Sequence, residues 1–312
     1  MKKNSKIYVA GHSGLVGSAL LSALDAAGYK NIIFRTHREL DLTRQSDVEE
    51  FFKNECPEYV FLSAAKVGGI QANTAQPADF IYKNLAIETN VIHSSFKIGV
   101  KKLLFIGSGA VYPSDAPQPI KEEYLLTAPP DKSNESYAIA KIAGMKMCEA
   151  YNKQYGTKFI SIMPSNLYGP GDNYHPTHSH VIPGLFRKFT EAKENGSDSV
   201  TMWGSGNPRR EFLHAGDLAD ACLFLMKKCD GDYFNIGNGY DISIKELGEM
   251  IKDITGFKGK ILFDTSMPDG TYRKLLDSSK LFGLGWKPKT DLKGGLKETY
   301  SDYLENCDKY RK

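Results

Sequence analysis

The segment Ser136-Tyr137-Ala138-Ile139-Ala140-Lys141 holds a phenol and an ammonium four residues apart. On a helix that spacing puts both on one face, a turn apart. Ketone reduction needs a proton donor for the developing alkoxide, and a free tyrosine with a pKa of about 10 is poorly matched to neutral pH. A lysine cation beside it favours phenolate and is expected to pull that pKa down; three units would be about 4 kcal/mol of differential interaction. Upstream, the run Lys102 to Gly107 reads as a strand that ends at Ser108. A serine at the carboxyl edge of a parallel sheet stands where such folds place ligands, and its hydroxyl can hold a carbonyl oxygen.

A second constellation lies near the start. Lys6 to Ala10 reads as a strand and runs into Gly11-His12-Ser13-Gly14-Leu15-Val16-Gly17, followed by a helical pattern. In that setting Gly11 makes the turn, Gly14 keeps a side chain off a pyrophosphate path, and Gly17 lets helix pack on strand. The helix amides then face the anion. A tight turn alone would also use glycines, but a following βαβ unit favours a dinucleotide. An NAD-selective site would carry an acid after the second strand, whereas this chain reads Phe34-Arg35-Thr36-His37-Arg38. Arg35 and Arg38, with the hydroxyl between them, suit a 2′-phosphate, a solvated surface charge being the competing reading for each, so NADP(H) is the expected cofactor.

These groups need a scaffold. Ile32 to Arg35, Tyr59 to Ser63 and Phe159 to Pro164 read as further strands, and Leu15 to Ala27, Gln45 to Asn54, Ala78 to Ile98 and Ser136 to Gln154 as helices. Such alternation means a parallel sheet covered by helices. The expected fold is α/β, a doubly wound, mostly parallel Rossmann sheet with a second, smaller α/β lobe for the substrate. Residues 1–169 would form the dinucleotide-binding domain and 170–312 mainly the lobe, with segments near 208–240 returning to the large domain. Gly216 to Lys227 and Tyr233 to Ile236 look like those returns; Val181 to Lys193, Ile244 to Thr255 and Ile261 to Asp264 look like the lobe.

With 312 residues, 41% hydrophobic and 25% charged, the chain can bury a large core. A net charge of +3, with cations scattered among acids, argues against a nucleic-acid surface. No run approaches the roughly 18 apolar residues of a membrane span, and the first residues lead into a strand, so a cytoplasmic protein is expected. Cys56, Cys148, Cys222, Cys229 and Cys307 match no zinc spacing and read as reduced thiols, with no metal site.

Longer stretches carry a resemblance: Ala64-Ala65-Lys66-Val67-Gly68-Gly69-Ile70, Pro77 to Tyr82, Tyr137 to Gly144, Asn166-Leu167-Tyr168-Gly169-Pro170, His178 to Pro183, Trp203 to Gly206 and Arg210 to His214. In these the chain resembles the extended short-chain dehydrogenase/reductase family, and within it the GDP-L-fucose synthases, which epimerise and reduce a GDP-linked 4-keto-6-deoxy sugar. The resemblance implies Ser108, Tyr137 and Lys141 as the reductive set and His180 as the acid of epimerisation. For NADPH it implies Gly11, Ser13, Gly14, Leu15, Val16, Gly17, Arg35, Arg38, Asp41, Leu42, Ala64, Ala65, Lys66, Ile106, Gly107, Pro164, Asn166 and Leu167, besides Tyr137, Lys141 and His180. For the GDP-sugar it implies Ser108, Gly109, Ala110, Asn166, Val181, Lys188, Trp203, Arg210, Asp269 and Lys274, and it implies a homodimer. Trp203 has a competing reading as core, and of Arg209 and Arg210 one is expected to face solvent.

The chain departs from that family at Ala110, where the synthases carry a cysteine two residues after the serine. Epimerisation beside the C4 ketone needs a base as well as an acid. Alanine is neither, and none of the five cysteines is close in sequence; Cys148 is expected to be packing. The leading expectation is therefore an NADPH-dependent C4 reductase of a GDP-4-keto-6-deoxy hexose or heptose, with weak or no epimerisation. The alternatives are a bifunctional synthase, an NAD-retaining sugar epimerase or dehydratase, and a non-catalytic nucleotide sensor.

Overall fold

The computed structural model describes residues 1–176, 179–267 and 269–306. Apolar residues alternate along the first strands, and that alternation builds two layers. Ile7 and Val9 of β1 (Ile7–Ala10) face one side of the sheet, Tyr8 and Ala10 the other. With β2 (Ile32–Ile33), β3 (Tyr59–Leu62), β4 (Lys102–Ile106) and β5 (Phe159–Pro164), the chain builds a parallel sheet. Four strands stay near the smaller lobe: β6 (Asn166–Tyr168), β7 (Ser199–Trp203), β8 (Arg209–Arg210) and β9 (Phe212–His214). The next, β10 (Asp232–Ile236), returns to pair with β5, giving the order β10-β5-β4-β3-β1-β2. Three short strands complete the lobe: β11 (Ile242–Ser243), β12 (Lys260–Asp264) and β13 (Arg273–Lys274).

Helices cover both faces, as a doubly wound sheet requires. One face carries α1 (Leu15–Ala26). The other carries α2 (Gln45–Glu55) and, after the short α3 (Ile70–Ala75), α4 (Pro77–Lys97) packed along α5 (Glu135–Tyr155). A separate apolar cluster holds the lobe around α6 (Val181–Glu194). Next, α7 (Ala215–Lys228) lies beside α1 on the sheet, and α8 (Ile244–Thr255) belongs to the lobe. The last two helices are α9 (Ser279–Gly283), against the sheet, and α10 (Leu292–Glu305), in the lobe. The sheet switches direction between β1 and β3, so their carboxyl ends open the crevice where such sheets take ligands.

Two expectations need correction. Strand β2 stops at Ile33, because Phe34 leaves the sheet to stack on His12 at 4.4 Å and Arg35 turns to Glu55. A further return to the large domain comes late in the chain, where Leu276, Leu281 and Trp286 are buried in its cores. These apolar residues sit in pieces too short to show periodicity. No helix among the described residues is long and apolar enough to cross a membrane. Cys56, Cys148, Cys222 and Cys229 are free thiols, and no described residues form a metal-holding cluster. Cys307 and His178 lie outside the described residues.

Candidate active site

Where β4 ends, the chain must leave the sheet in little space. A β-carbon on Gly107 would meet the Ile162 carbonyl oxygen at 2.7 Å, so this position requires glycine. The chain then turns at Ser108, whose Oγ accepts a hydrogen bond from the Ala110 amide at 3.1 Å. The serine hydroxyl also hydrogen-bonds Tyr137, which puts the two O–H groups side by side at the crevice. Ala110 offers only a methyl group beside it.

Tyr137 lies in the first turn of α5 and Lys141 one turn further on, as their spacing predicts. Lys141 is buried; its Nζ donates to the Ile106 carbonyl at 2.9 Å, lies 3.1 Å from Glu88 Oε1, and sits 5.9 Å from the centre of the Tyr137 ring. Phe80 meets Tyr137 edge-on. The expected lowering of the tyrosine pKa is overturned: burial pushes it above the ordinary value, while Lys141 and a hydrogen bond with Ser108 pull it down and Glu88 adds to the rise. The lysine effect has the expected sign, but desolvation of a phenolate is larger here.

The glycine loop meets its demands. Gly11 has φ +84°, and a β-carbon there would lie 2.6 Å from the Ala64 amide nitrogen. On Gly17 it would lie 2.0 Å from the Gly11 carbonyl oxygen, whereas above Gly14 nothing comes closer than 3.7 Å. Gly11 and Gly17 thus lock strand to helix, and Gly14 leaves open space over the first turn of α1, whose amides have no side-chain cap. That cradle fits a pyrophosphate between Ser13, Leu15 and Val16. Across the crevice Asn84 of α4, fully buried, accepts from the Lys66 amide at 2.8 Å and donates to the Lys66 carbonyl at 3.0 Å, fixing the Ala64-Ala65-Lys66 turn. The Lys66 ammonium is held by Gln76 and Asp79.

Of the two arginines proposed for the 2′-phosphate, Arg35 is bound to Glu55 at 2.5 Å and lies over the Phe51 ring, while Arg38 is exposed. Asp41 is engaged by Thr43, and the Leu42 carbonyl accepts from Asn90. Pro164 closes β5, its carbonyl oxygen 3.0 Å from where a β-carbon on Gly109 would stand. Asn166 donates to the Glu211 carbonyl, and Leu167 packs toward the core instead of standing free in the crevice.

In the lobe, β8 decides which arginine does what. Neighbouring residues of a strand point to opposite faces. Arg209 shares one face with its cross-strand partner Arg273, and both bind Asp241. Of the arginine pair, Arg209 is the outer one, its side chain 36% exposed while it binds Asp241, as the expectation that one of them faces solvent had it, and Arg210 is the more enclosed. Arg210 shares the other face with Lys274, where Asp131 is the acid that acts on both. Burial and the Arg210 guanidinium bring the Lys274 pKa down to about 8. Two residues beyond Lys274, Leu276 lies against Gly109, which sets the basic pair close to the Ser108 turn.

Trp203 is 53% exposed and so is not core, and the Lys188 ammonium lies 5.4 Å over its ring. Asp269 holds the Gly204-Ser205-Gly206 turn by accepting from the Ser205 amide and hydroxyl. His180 stands at the N-cap position of α6 without a side-chain hydrogen bond to the helix, next to the exposed Val181, and desolvation lowers its pKa. The neighbouring Ser179 carbonyl comes against Gly69, so this segment borders the Ala64 turn. Asn84, Glu88 and Asp131 are site residues that sequence reasoning missed. For the first two a signal existed: polar residues four apart on the face of α4 that carries Phe80 and Val91 inward.

Comparison with known proteins gives a consistent picture. Residues 7–237 match the model of the NAD dependent epimerase/dehydratase family. GDP-L-fucose synthase 1 of Arabidopsis thaliana is 58% identical over 305 residues, 97% of this chain and 94% of that protein. A GDP-6-OMe-4-keto-L-xylo-heptose reductase from Campylobacter jejuni superimposes with a TM-score of 0.93 at 44% identity, covering 98% of this chain and 99% of the other. A GDP-mannoheptose C4 reductase from the same organism, solved with NADP bound, gives 0.90 at 47% identity, covering 97% and 99%.

Proposed function

The chain belongs to the NAD dependent epimerase/dehydratase family, and from that premise we propose that it is an NADPH-dependent 4-ketoreductase of a GDP-linked 4-keto-6-deoxy hexose or heptose that leaves C3 and C5 unchanged. The observation that carries this reading is the completeness of one set of groups beside the incompleteness of another. Ser108, Tyr137 and Lys141 stand together, while the position two residues after Ser108 holds a methyl group.

NADPH, for which the Gly11 to Gly17 cradle and Arg38 are fitted, supplies a hydride when bound. Ser108 donates its hydroxyl hydrogen to the C4 carbonyl oxygen, and Tyr137 hands its phenolic proton to that oxygen as negative charge develops. Lys141 stabilises the phenolate that Tyr137 becomes. Arg210 and Lys274 hold the diphosphate by charge-assisted hydrogen bonds, and Trp203 with Lys188 offers a flat face and a cation to the rest of the nucleotide sugar.

A second reading, the bifunctional 3,5-epimerase/4-reductase, draws on the 58% identity with a protein named GDP-L-fucose synthase. Inversion would need a base that Ala110 cannot be, since His180 supplies one proton-transfer group only. Incubation with NADPH and a panel of GDP-4-keto hexoses and heptoses, followed by NMR of the products, separates the readings. Reduction at C4 with C3 and C5 as in the substrate supports the reductase, and inverted product supports the synthase. Oxidation of no NADPH with any member of the panel contradicts both.

A further inference from the structure

Glu88 is among the most deeply buried charged groups of the described residues, and the reaction as derived above makes no use of it. Its side chain and that of Lys141 are each 2% exposed, with Nζ and Oε1 3.1 Å apart. The sequence makes room for it: on the facing helix a β-carbon at Gly144 would lie 2.7 Å from Glu88 Oε2 and 2.6 Å from the Phe105 ring. Neither carboxylate oxygen has a well-aligned hydrogen-bond partner among the described residues, so Lys141 meets Oε1 as an ion pair. An acid is placed there at a cost in desolvation, directly behind the lysine that serves the catalytic tyrosine.

We propose that Glu88 is a positioning residue of the reductive site, whose carboxylate, paired with the Lys141 ammonium, balances its charge and so holds Tyr137 in the phenol form that reduction requires. The inference rests on the reductase reading and adds a direction to it. A buried site resists net charge. Burial pushes the Glu88 carboxyl up and the Lys141 ammonium draws it back down; with that pair ionised and Tyr137 neutral, the three groups sum to zero. Without Glu88, the neutral combination that keeps Lys141 charged is phenolate with ammonium, the state suited to taking a proton from an alcohol. Lys141 also donates to the Ile106 carbonyl and lies 4.7 Å over the Phe105 ring, contacts that suit an ammonium. The titratable groups that face Tyr137 are Lys141 and Glu88; those that face Glu88 are Lys141 and, on the same helix, the Cys148 thiol, which burial raises to about 12 and keeps neutral. The sign follows: removing a negative charge near Tyr137 lowers its pKa.

The test is the pH profile of single-turnover NADPH oxidation by the parent and by Glu88→Gln. The alkaline limb should move toward neutrality by about one pH unit, at the lower end of what a nearby charge produces, while Glu88→Asp, which keeps the charge, should stay near the parent. Ultraviolet difference titration against Tyr137→Phe reads the same phenol with no substrate present and should show the same shift. If the Gln protein does not fold, Glu88→Thr, which lets water reach Lys141, should give the downward shift. A limb and a phenol titration that are unmoved or raised in the charge-removed protein overturn the inference, whereas a parent protein that reduces no GDP-4-keto sugar overturns the reductase reading and leaves the phenol titration to decide this one.

Discussion

Arg35 and Arg38 stand three residues apart at the edge of the cofactor crevice, and their surroundings divide the work between them. Arg35 is tied into an ion pair with Glu55, whose other oxygen holds Lys6, so its guanidinium helps join β1, α2 and the chain after β2. Arg38 is exposed, and it is the arginine we propose for a 2′-phosphate. Replacing Arg38 by alanine should narrow the preference for NADPH over NADH by about 1.5 to 3 kcal/mol, the range for a hydrogen bond to a charged group. Arg35→Ala should lower the unfolding midpoint with less effect on that preference. Steady-state kinetics with both cofactors checks this, and a preference abolished by Arg35→Ala alone would transfer the role. Sequence named the pair but could not choose, because the choice depends on Glu55, twenty positions away on another element.

Short strands do more for the charge pattern of the lobe than their length suggests. β8 and β13 are two residues each, yet their parallel register sorts four cations into a neutralised face with Asp241 and an under-neutralised face with Asp131. Neither strand was legible beforehand, since two residues show no alternation. Helix α5, by contrast, was legible to within a residue at each end, because twenty-one residues display their period. The Lys274 pKa near 8 gives the basic face a pH dependence. Below that value the lysine is charged and holds a diphosphate; above it the charge is lost. GDP affinity measured by calorimetry should therefore fall by up to about tenfold between pH 7 and 9, the most that losing one charge with that pKa can cost over this range. Lys274→Met should flatten most of that slope, and an equally steep slope in the variant would remove Lys274 from the diphosphate site.

At the scale of the whole molecule, two cores clothe the sheet and a third builds the lobe, so the Ser108 turn, α5 and the β8–β13 face meet where the large domain and the lobe adjoin. The sheet, its helices, the glycine cradle and the Ser108, Tyr137, Lys141 set follow from local patterns and appear in the sequence. The late return of Leu276, Leu281 and Trp286 to the large domain does not, nor does Glu88 behind Lys141, because both depend on packing between distant segments. What this assembly retains is reduction, and what it lacks beside Ser108 is a second proton-transfer group. The most direct measurement is turnover in deuterated water with NADPH and a GDP-4-keto-6-deoxy sugar, followed by NMR of the product. The account predicts product reduced at C4 with little solvent deuterium at C3 or C5 and both centres unchanged; rapid deuterium incorporation with inverted configuration would contradict it and show that another residue serves as the base.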